Sequence, residues 1–321
     1  MREKLIGLED LPENFRVGLE EIFRNYIFNE AITKVGIKNL AKELNYCYDT
    51  ILNLKKGKFF IKISTLIKLS KITGISLEEI ETNVKEMKIR NKDKKITLKL
   101  PIYSSPELAT LVACGIGDGS LTDRQFSYFN SRWELIDRII DCVQSSISPD
   151  IEPVGFEKNG GWEIEFPTCI AKILEIAGIP KGKKLNAVFD VPNWIKNGDK
   201  KIKVAFIRAL FDDEGWIKIY YNKKNKSTKR LIGINMSKKE EIISSQITFF
   251  ESVRKMLNDL GIETSKINIF GKTKNGISLG FTISNFKNLK KFREVVNFLN
   301  LEREYKLLDC LLNYKRIRFK L

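Results

Sequence analysis

The stretch "FIRALFDDEGWIK", residues 206–218, sets three acidic residues between an apolar helix-like run and a glycine. A second stretch of the same kind, "LATLVACGIGDGSL", lies upstream at residues 108–121. One such stretch alone is typical of an exposed acidic helix end with a glycine C-cap. Its recurrence indicates a shared structural role, because both copies carry an acid directly before a glycine.

Alignment of residues 111–119 with residues 207–215 sets Asp118 opposite Glu214. Positions four apart share one helix face, and small side chains along a face let two helix backbones approach closely. We therefore predict that the two helices pack on each other, with Asp118 beside Glu214. The face is formed in the first copy by Ala109, Ala113 and Gly117, and in the second by Ala205, Ala209 and Asp213.

This pairing has an electrostatic consequence. Two carboxylates at the negative ends of two helix dipoles repel each other. A hard divalent cation relieves the repulsion, and Mg²⁺ prefers oxygen ligands from a few carboxylates and water. Because divalent ions also promote phosphodiester hydrolysis, the pair predicts a site for Mg²⁺, or another divalent cation such as Mn²⁺, held by Asp118 and Glu214.

The chain around the two stretches repeats itself in the order α-β-β-α-β-β-α, and a last helix is predicted over roughly 302–315. We assign residues 102–200 to repeat 1 with an inter-repeat linker and residues 201–321 to repeat 2. A Lys-rich linker, 91–101, precedes them, and its later part is expected to be extended. Residues 1–90 have apolar residues at helical spacing. The predicted class is α+β, with two pseudo-symmetric repeats after an all-α domain.

Composition narrows the function. The 321 residues carry a net charge of +16, so a polyanion is the favoured partner and nucleic acid is the commonest polyanion. A Lys-rich solvated surface is the alternative. No run of 18 apolar residues and no signal peptide is found, which predicts a cytoplasmic protein without a membrane partner. The Ile- and Lys-rich composition hints at an archaeal source.

Missing residue types exclude several chemistries. The chain has no His, so Ser-His-Asp triads and His-metal nucleases are excluded. Its five Cys are scattered without a C-x-x-C pair, which leaves a zinc ribbon or a disulfide framework unsupported. Catalysis would have to use carboxylates, Lys, Tyr or a metal bound by oxygen.

At these residues the sequence resembles the LAGLIDADG homing endonuclease family. "LVACGIGDG" (111–119) and "IRALFDDEG" (207–215) stand as its two motif copies. "GIPKGKKLNAVFDVPNWI" (178–195) is similar to the inter-repeat stretch of archaeal and intein-associated members. "SLGFTISNFKNLKKFREVVNFLNLEREYKLLDCL" (278–311) is similar to their C-terminal end.

The resemblance implies a pseudo-dimeric endonuclease, a monomer whose two saddle-like antiparallel sheets lie along the major groove of double-stranded DNA. It implies that Asp118 and Glu214 bind the metal and that Gly117 and Asp213 add main-chain carbonyls. The family hydrolyses both DNA strands across the minor groove and leaves short 3′ overhangs.

Two departures accompany the resemblance. Asp213 stands where a small residue is more usual, which bears on how closely the helices approach. The family often has a Lys or Gln near the end of the second strand. The corresponding positions here are Asn130 and Ser131 in repeat 1 and Lys238 in repeat 2, and Lys218 is a further candidate. Lys238 and Lys218 are candidate catalytic residues; a DNA-contacting role is the alternative.

The N-terminal segment resembles a lambda-repressor-like helix-turn-helix, with "IKNLAKELN" (37–45) as the first helix and "CYDTILNLKKG" (47–57) as the recognition helix. Asn45 and Gly57 would supply the turns. A small docking bundle is the alternative. The residues predicted to face bases are Cys47, Tyr48, Asp49, Thr50 and Asn53, with Lys55 and Lys56 on phosphates.

Polar and apolar residues alternate in the first strands of each repeat, as in sheets with one open face. The side chains there that we predict to contact DNA are Arg124, Gln125, Tyr220, Asn222, Lys224, Lys229 and Arg230.

Three functions remain open. The first is a metal-dependent, site-specific DNA endonuclease, which the two acids favour. The second is a catalytically inactive DNA-binding regulator on the same scaffold, and the third is an RNA splicing helper. Because the chain has a starting Met, no His and the ending "RIRFKL", it lacks the residues of intein splicing and is expected to be free-standing.

Overall fold

The computed structural model describes residues 3–89, 94–223, 226–273 and 276–314. These ranges form one two-stranded and three four-stranded antiparallel sheets with helices packed against them. The α+β class expected from the sequence is therefore confirmed. Within the described ranges, every helix is too short or too polar to cross a bilayer.

The N-terminal part contains more than helices. Its helices are α1 (Glu21–Val35), α2 (Ile37–Leu44), α3 (Tyr48–Lys55), α4 (Ile63–Thr73) and α5 (Leu77–Thr82). Its strands are β1 (Lys4–Ile6), β2 (Arg16–Leu19), β3 (Ile61–Lys62), β4 (Val84–Lys88) and β5 (Ile96–Thr97). The last four form a sheet in the order β3-β2-β4-β5. The expectation of an all-α segment is wrong, because strands of two to five residues are too short to display a period of two.

The turns predicted in this part are present. Asn45 ends α2 in the left-handed conformation at φ 58°, and its N–H bonds to the carbonyls of Ala41 and Lys42. Gly57, after α3, has φ 74°. The short turn 45–47 thus joins α2 to α3 as the sequence suggests. Strand β5 confirms that the later part of the Lys-rich linker is extended, and β6 (Ile102–Tyr103) pairs with β1.

Two units of equal element order follow. The first contains α6 (Pro106–Ile116), β7 (Gly119–Leu121), β8 (Gln125–Asn130), α7 (Trp133–Ser146), β9 (Val154–Lys158), β10 (Gly161–Pro167) and α8 (Thr168–Ala177). The short helix α9 (Asn193–Lys196) lies between the units. The second contains α10 (Lys200–Glu214), β11 (Gly215–Asn222), β12 (Ser227–Lys238), α11 (Ile243–Asp259), β13 (Asn268–Thr273), β14 (Gly276–Ile283) and α12 (Phe286–Val295), and α13 (Leu301–Leu312) is the last element of the described residues. The predicted repeat order is confirmed.

The two sheets also share a topology. Their strand orders are β7-β8-β10-β9 and β11-β12-β14-β13, and each is antiparallel throughout. One face of each sheet packs on helices: Phe126 and Tyr128 in β8, and Ile232 and Ile234 in β12, are fully buried. The opposite face is open. Cys114, Cys142, Cys169 and Cys310 are buried as core residues, and Cys47 is exposed.

Helices α6 and α10 pack against each other at the junction of the two units. Each begins with a side-chain cap: Ser105 accepts a hydrogen bond from the N–H of Leu108, and Asp199 from that of Ile202. Every residue from Leu108 to Ile116 is buried. Helix α6 is therefore enclosed on all sides.

The two helices approach each other closely at Gly117 and Asp213. A Cβ atom added to Gly117 would lie 2.5 Å from Asp213 Oδ2 and 2.6 Å from its Cβ. The aspartate that departs from the family pattern is accommodated because the residue opposite it has no side chain. The predicted packing of the two helices is confirmed.

We expect Gly117→Ala to destabilise the protein by about 1–3 kcal/mol, the usual range for overpacking a tight contact. Chemical denaturation measures the change in the free energy of unfolding. Gly155→Ala is the matched control, since a methyl group there meets nothing closer than 3.9 Å. Equal stabilities of the two variants would contradict the close approach.

Candidate functional site: an acid cluster at two helix ends

The C-terminal ends of α6 and α10 bring Asp118 and Glu214 together. Asp118 follows Gly117, the residue that caps α6, and Glu214 is the last residue of α10. Asp118 is exposed to solvent and Glu214 is half-buried. The charge of Glu214 contributes to raising the pKa of Asp118.

Asp213 joins the two helix ends. Its carboxylate accepts hydrogen bonds from the Tyr128 hydroxyl, at 2.7 Å, and from the N–H of Asp118, at 3.3 Å. The side chain is completely buried, while the residue as a whole is half-buried. The exposed surface of Asp213 therefore belongs to its main chain, the part of this residue predicted to face a metal.

Asp212 has a different environment. Its buried carboxylate accepts from the N–H groups of Leu299 and Asn300, each at 3.0 Å, and pairs with Arg138 at 2.6 Å. Arg138 also donates to Cys114 Sγ at 3.3 Å. Of the three consecutive acids, two point into the protein and only Glu214 remains for chemistry at the surface.

Asn130 lies at the end of β8, where the sequence predicted a polar residue near the site. Its amide donates to Asp118 Oδ2 at 3.2 Å and to the Tyr128 hydroxyl at 3.3 Å. It therefore restrains the exposed carboxylate from one side. An open cavity of about 370 Å³ adjoins this group, and its lining includes Asn130, Ser131 and Arg303.

Arg303 reaches the acid cluster from α13. Its guanidinium donates to the carbonyl of Phe211 at 2.8 Å, to that of Asp212, and to that of Asp213 at 3.5 Å. These carbonyls belong to the last turn of α10, where a cation offsets the negative end of the helix dipole. Arg303 also lowers the pKa values of Asp118 and Glu214 electrostatically.

Lys184 supplies a second cation, from the loop between the repeats. It attracts Glu214, Asp118 and Asp213, each of which raises its pKa, although burial lowers it more strongly. Lys238, at the end of β12, donates to the carbonyls of Lys184, at 2.5 Å, and Ala187. The ammonium group of Lys238 therefore anchors the loop that carries Lys184. Its predicted catalytic role stays a prediction.

Protonation follows from this environment. Although part of Asp118 is exposed, loss of hydration among the surrounding protein atoms, with repulsion from Glu214, raises its pKa to about 6. Burial first, and then repulsion from a neighbouring carboxylate, raises the pKa values of Asp213 and Glu214 to about 7. The cluster thus holds more negative charge than its surroundings stabilise.

The donor set fits a hard divalent cation. Among the described residues, three or more His, Cys, Asp or Glu side chains do not meet in one metal-binding group. Mg²⁺ commonly uses one or two carboxylates and takes its other ligands from water and substrate phosphate. Asp118 and Glu214 offer two such carboxylates, whereas Gly117 is buried and the carbonyl of Asp213 lies 3.5 Å from the Arg303 guanidinium, so the metal-binding role of these four residues stays a prediction.

The predicted DNA contacts fall into several environments. Lys218, Tyr220, Asn222 and Lys229 lie on the open face of the second sheet. Arg230 points away from that face: its guanidinium donates to the carbonyl of Asn313 at 2.8 Å and lies 5.1 Å from the ring of Tyr314. Lys224 lies outside the described residues.

In repeat 1, Arg124 is exposed in the turn between β7 and β8. Gln125 lies on the open face of the first sheet, where its amide bonds to the Glu165 carboxylate. On α3, Cys47, Tyr48, Asp49 and Lys56 are exposed, while Thr50, Asn53 and Lys55 are half-buried. Ile51 and Leu54 face the core. The polar side of α3 thus remains accessible.

Sequence reasoning missed four residues of the cluster: Tyr128, Arg138, Lys184 and Arg303. Tyr128 alternates correctly with core residues of β8, and nothing in its position marks a polar role. Arg303 contacts residues about ninety positions earlier, which no local pattern reveals. Lys184 lies within the inter-repeat stretch quoted above. Other Lys residues adjoin it there, so the sequence alone does not distinguish it from them.

No family model matches the chain. The replication factor C small subunit of Methanocaldococcus jannaschii is 28% identical over 298 residues, 81% of this chain and 15% of that protein. The tRNA-splicing ligase RtcB of Pyrococcus abyssi is 30% identical over 128 residues, 40% of this chain and 13% of that protein. The RNA polymerase subunit Rpo1N of M. jannaschii is 25% identical over 229 residues, 63% of this chain and 16% of that protein. The chain thus spans less than a fifth of each.

Similar solved structures include I-DmoI with DNA and Mn, at TM-score 0.38 and 14% identity, covering 60% of this chain and 96% of that one. The I-LtrWI LAGLIDADG homing endonuclease bound to target DNA has TM-score 0.41 and 12% identity, covering 66% and 92%. Full-length DUF199/WhiA from Thermatoga maritima has TM-score 0.39 and 16% identity, covering 64% and 61%. All three scores lie below 0.5, so the description of the fold rests on the chain's own elements.

The raised pKa values predict a pH-dependent stability. The folded protein binds protons more tightly than the unfolded chain at Asp118, Asp213 and Glu214. The free energy of unfolding of the metal-free protein should therefore fall as pH rises from about 4 through about 7. Denaturation in EDTA at several pH values measures the slope.

Glu214→Gln should flatten that slope and raise the stability at pH 8 by about 1–2 kcal/mol, because it removes a poorly stabilised charge. Glu152→Gln, at an exposed position, is the control and should leave the slope unchanged. A variant at position 214 that is less stable than wild type at pH 8 would show that the carboxylate is already neutralised.

Proposed function

We propose that this chain is a metal-dependent, site-specific endonuclease that hydrolyses both strands of double-stranded DNA. The observation that carries the proposal is the acid cluster at the packed ends of α6 and α10. The cluster joins two units of equal topology, each with a sheet that has one open face. Such an arrangement places one carboxylate from each unit near a common centre, as cleavage of two strands requires.

In this proposal Asp118 and Glu214 hold Mg²⁺ or Mn²⁺, and the main-chain oxygens of Gly117 and Asp213 contribute. The cation supplies Lewis-acid polarisation of the phosphate and activation of water. The protein residues set the geometry. Two hydrogen bonds restrain Asp118: its carboxylate accepts from the Asn130 amide, and its main-chain N–H donates to the Asp213 carboxylate. Arg303 holds the last turn of α10, which ends at Glu214.

Lys184 is the basic residue of the proposed site. All three carboxyl groups raise its pKa, so we expect a phosphodiester bound at those acids to be attracted by this positive charge. A cation placed where negative charge develops lowers the barrier to hydrolysis. Lys238 positions Lys184 through the two carbonyl contacts of the loop.

The relatives add independent support. They carry three unrelated names, for replication, RNA ligation and transcription, and the part that aligns with this chain covers only 13–16% of each. Similarity limited to a small part of proteins with such different names indicates a module that does not depend on those functions. An element that inserts into many genes has this distribution, and a site-specific nuclease is the activity by which such an element spreads.

Double-stranded DNA would lie along the open sheet faces, and the polar side of α3 would add base or phosphate contacts. The net charge of +16 supplies the long-range attraction. The internal repeat allows a monomer to present both halves of the site. The free-standing, archaeal and cytoplasmic assignments remain predictions of the sequence.

The test is cleavage of a randomised double-stranded DNA library in Mg²⁺, with Asp118→Asn and Glu214→Gln beside the wild type. We expect defined double-strand cuts that disappear in both variants, and binding without turnover in Ca²⁺. Glu152→Gln is the control for charge alone. Selective DNA binding without cleavage in any divalent metal would contradict the nuclease and favour a DNA-binding regulator. Selective binding of structured intron RNA would favour an RNA splicing helper.

We expect Lys184→Met to lower the cleavage rate at saturating DNA by about 10²-fold, the usual effect of removing one group that stabilises developing charge. Affinity for DNA in Ca²⁺ should change little. Lys183→Met is the matched control, because Lys183 is exposed on the same loop. If both variants lost the same fraction of the cleavage rate, the effect would come from the overall charge of the loop and not from the position of Lys184.

A further inference from the structure

The open faces of the two repeat sheets carry different side chains. Directly paired residues of an antiparallel sheet point to the same side, so the strand registers identify each open face. In β8 the open-face residues alternate with buried Phe126 and Tyr128, and in β12 with buried Ile232 and Ile234. We call these surfaces face 1, in repeat 1, and face 2, in repeat 2.

Face 1 is acidic and partly apolar. Its two carboxylates, Glu163 and Glu165, are accompanied by a single cation, Lys158, which already pairs with Glu163 at 2.5 Å. Val154 and Phe156 are 59% and 44% exposed. The residues of face 1 are Ser120, Gln125, Ser127, Phe129, Val154, Phe156, Lys158, Glu163 and Glu165.

Face 2 is basic and carries both polar and aromatic side chains, among them Trp216 with the ring of Phe270 beside it. Among the described residues of its four strands, it contains Lys but neither Asp nor Glu. Trp216 donates to Asn235 Oδ1 at 2.6 Å, and the Asn235 amide donates to Ser278 Oγ at 3.0 Å, so a row of ordered polar groups crosses three strands. The residues of face 2 are Trp216, Lys218, Tyr220, Asn222, Lys229, Leu231, Asn235, Ser237, Asn268, Ser278 and Thr282.

The same asymmetry extends over both halves of the repeat region. Residues 102–200 contain 10 Lys and Arg against 14 Asp and Glu, a net charge of −4. Residues 201–321 contain 26 against 12, a net charge of +14. Two units with one topology therefore present opposite charges to a polyanion.

The acidic repeat is also joined to a basic unit on its other side. Residues 1–101 contain 20 Lys and Arg against 14 Asp and Glu, a net charge of +6. Lys99 Nζ bonds to the carbonyls of Gln144 and Ser145, and the Thr97 hydroxyl bonds to Asp150 at 2.6 Å. Repeat 1 thus lies between two basic parts of the chain.

We infer that DNA recognition is lopsided: face 2 supplies the phosphate contacts of the repeat region, and face 1 lies against its half of the target without net phosphate attraction. The inference rests on the proposed DNA-binding function and deepens it. Each Lys that neutralises a phosphate releases a condensed counterion, which favours binding. Glu163 and Glu165 oppose a phosphate backbone, so the half-site under repeat 1 is held through its connection to the other two units.

The test measures binding to a pool of randomised duplex DNA in Ca²⁺ by fluorescence anisotropy across a salt series. The double variant Lys218→Gln/Lys229→Gln should reduce the slope of log affinity against log salt by about 2, since each phosphate contact contributes about 0.9. Lys158→Gln is the matched lysine on face 1 and should leave the slope unchanged. An equal reduction from Lys158→Gln would overturn the inference.

The acids of face 1 provide the second arm. Glu163→Gln/Glu165→Gln should strengthen binding at low salt, and the gain should shrink as salt rises. Weaker binding in this variant would overturn the inference and assign the acids to base reading, since a carboxylate accepts from cytosine N4. Absence of DNA binding by the wild type would overturn the proposed function as well, so the two failures are distinguishable.

Discussion

The contact between the last turns of α6 and α10 is the constraint on which the rest of the molecule depends. Gly117 lacks a side chain, and the carboxylate of Asp213 occupies the space opposite it. From there Asp213 accepts the N–H of Asp118 and the hydroxyl of Tyr128. One close approach therefore sets the position of both repeats, brings Asp118 near Glu214 and buries the group that separates them.

That proximity makes the helix ends electrostatically unfavourable without a cation. Arg303 and Lys184 offset part of the charge, and Arg138 neutralises Asp212. The remaining carboxylates keep raised pKa values because burial disfavours their charged forms. A site that is destabilising by itself is common where a protein trades stability for function. Here the imbalance lies at the joined helix ends and includes the buried carboxylate of Asp213.

Sequence reasoning recovered the parts of this arrangement that depend on local patterns. The repeat order and the close helix pair follow from the recurring pattern of elements and from small residues four apart, and the pairing of Asp118 with Glu214 as metal ligands stays a prediction. The strands β1 to β4 were missed because each is two to five residues long. Lys238 illustrates another limit: its position in the sequence indicates a polar site residue, but burial under the loop 184–187 directs its ammonium to carbonyls. Arg303 is invisible to any pattern of neighbouring residues.

The bonds of Asp212 have a consequence for the order of assembly. Its donors are the N–H groups of Leu299 and Asn300. The carbonyls at the end of α10 accept hydrogen bonds from Arg303, which lies further along the chain. Bringing residues almost ninety positions apart together costs loop-closure entropy before the contact stabilises anything. A chain that ended before residue 299 would leave the buried carboxylate of Asp212 without its two main-chain donors.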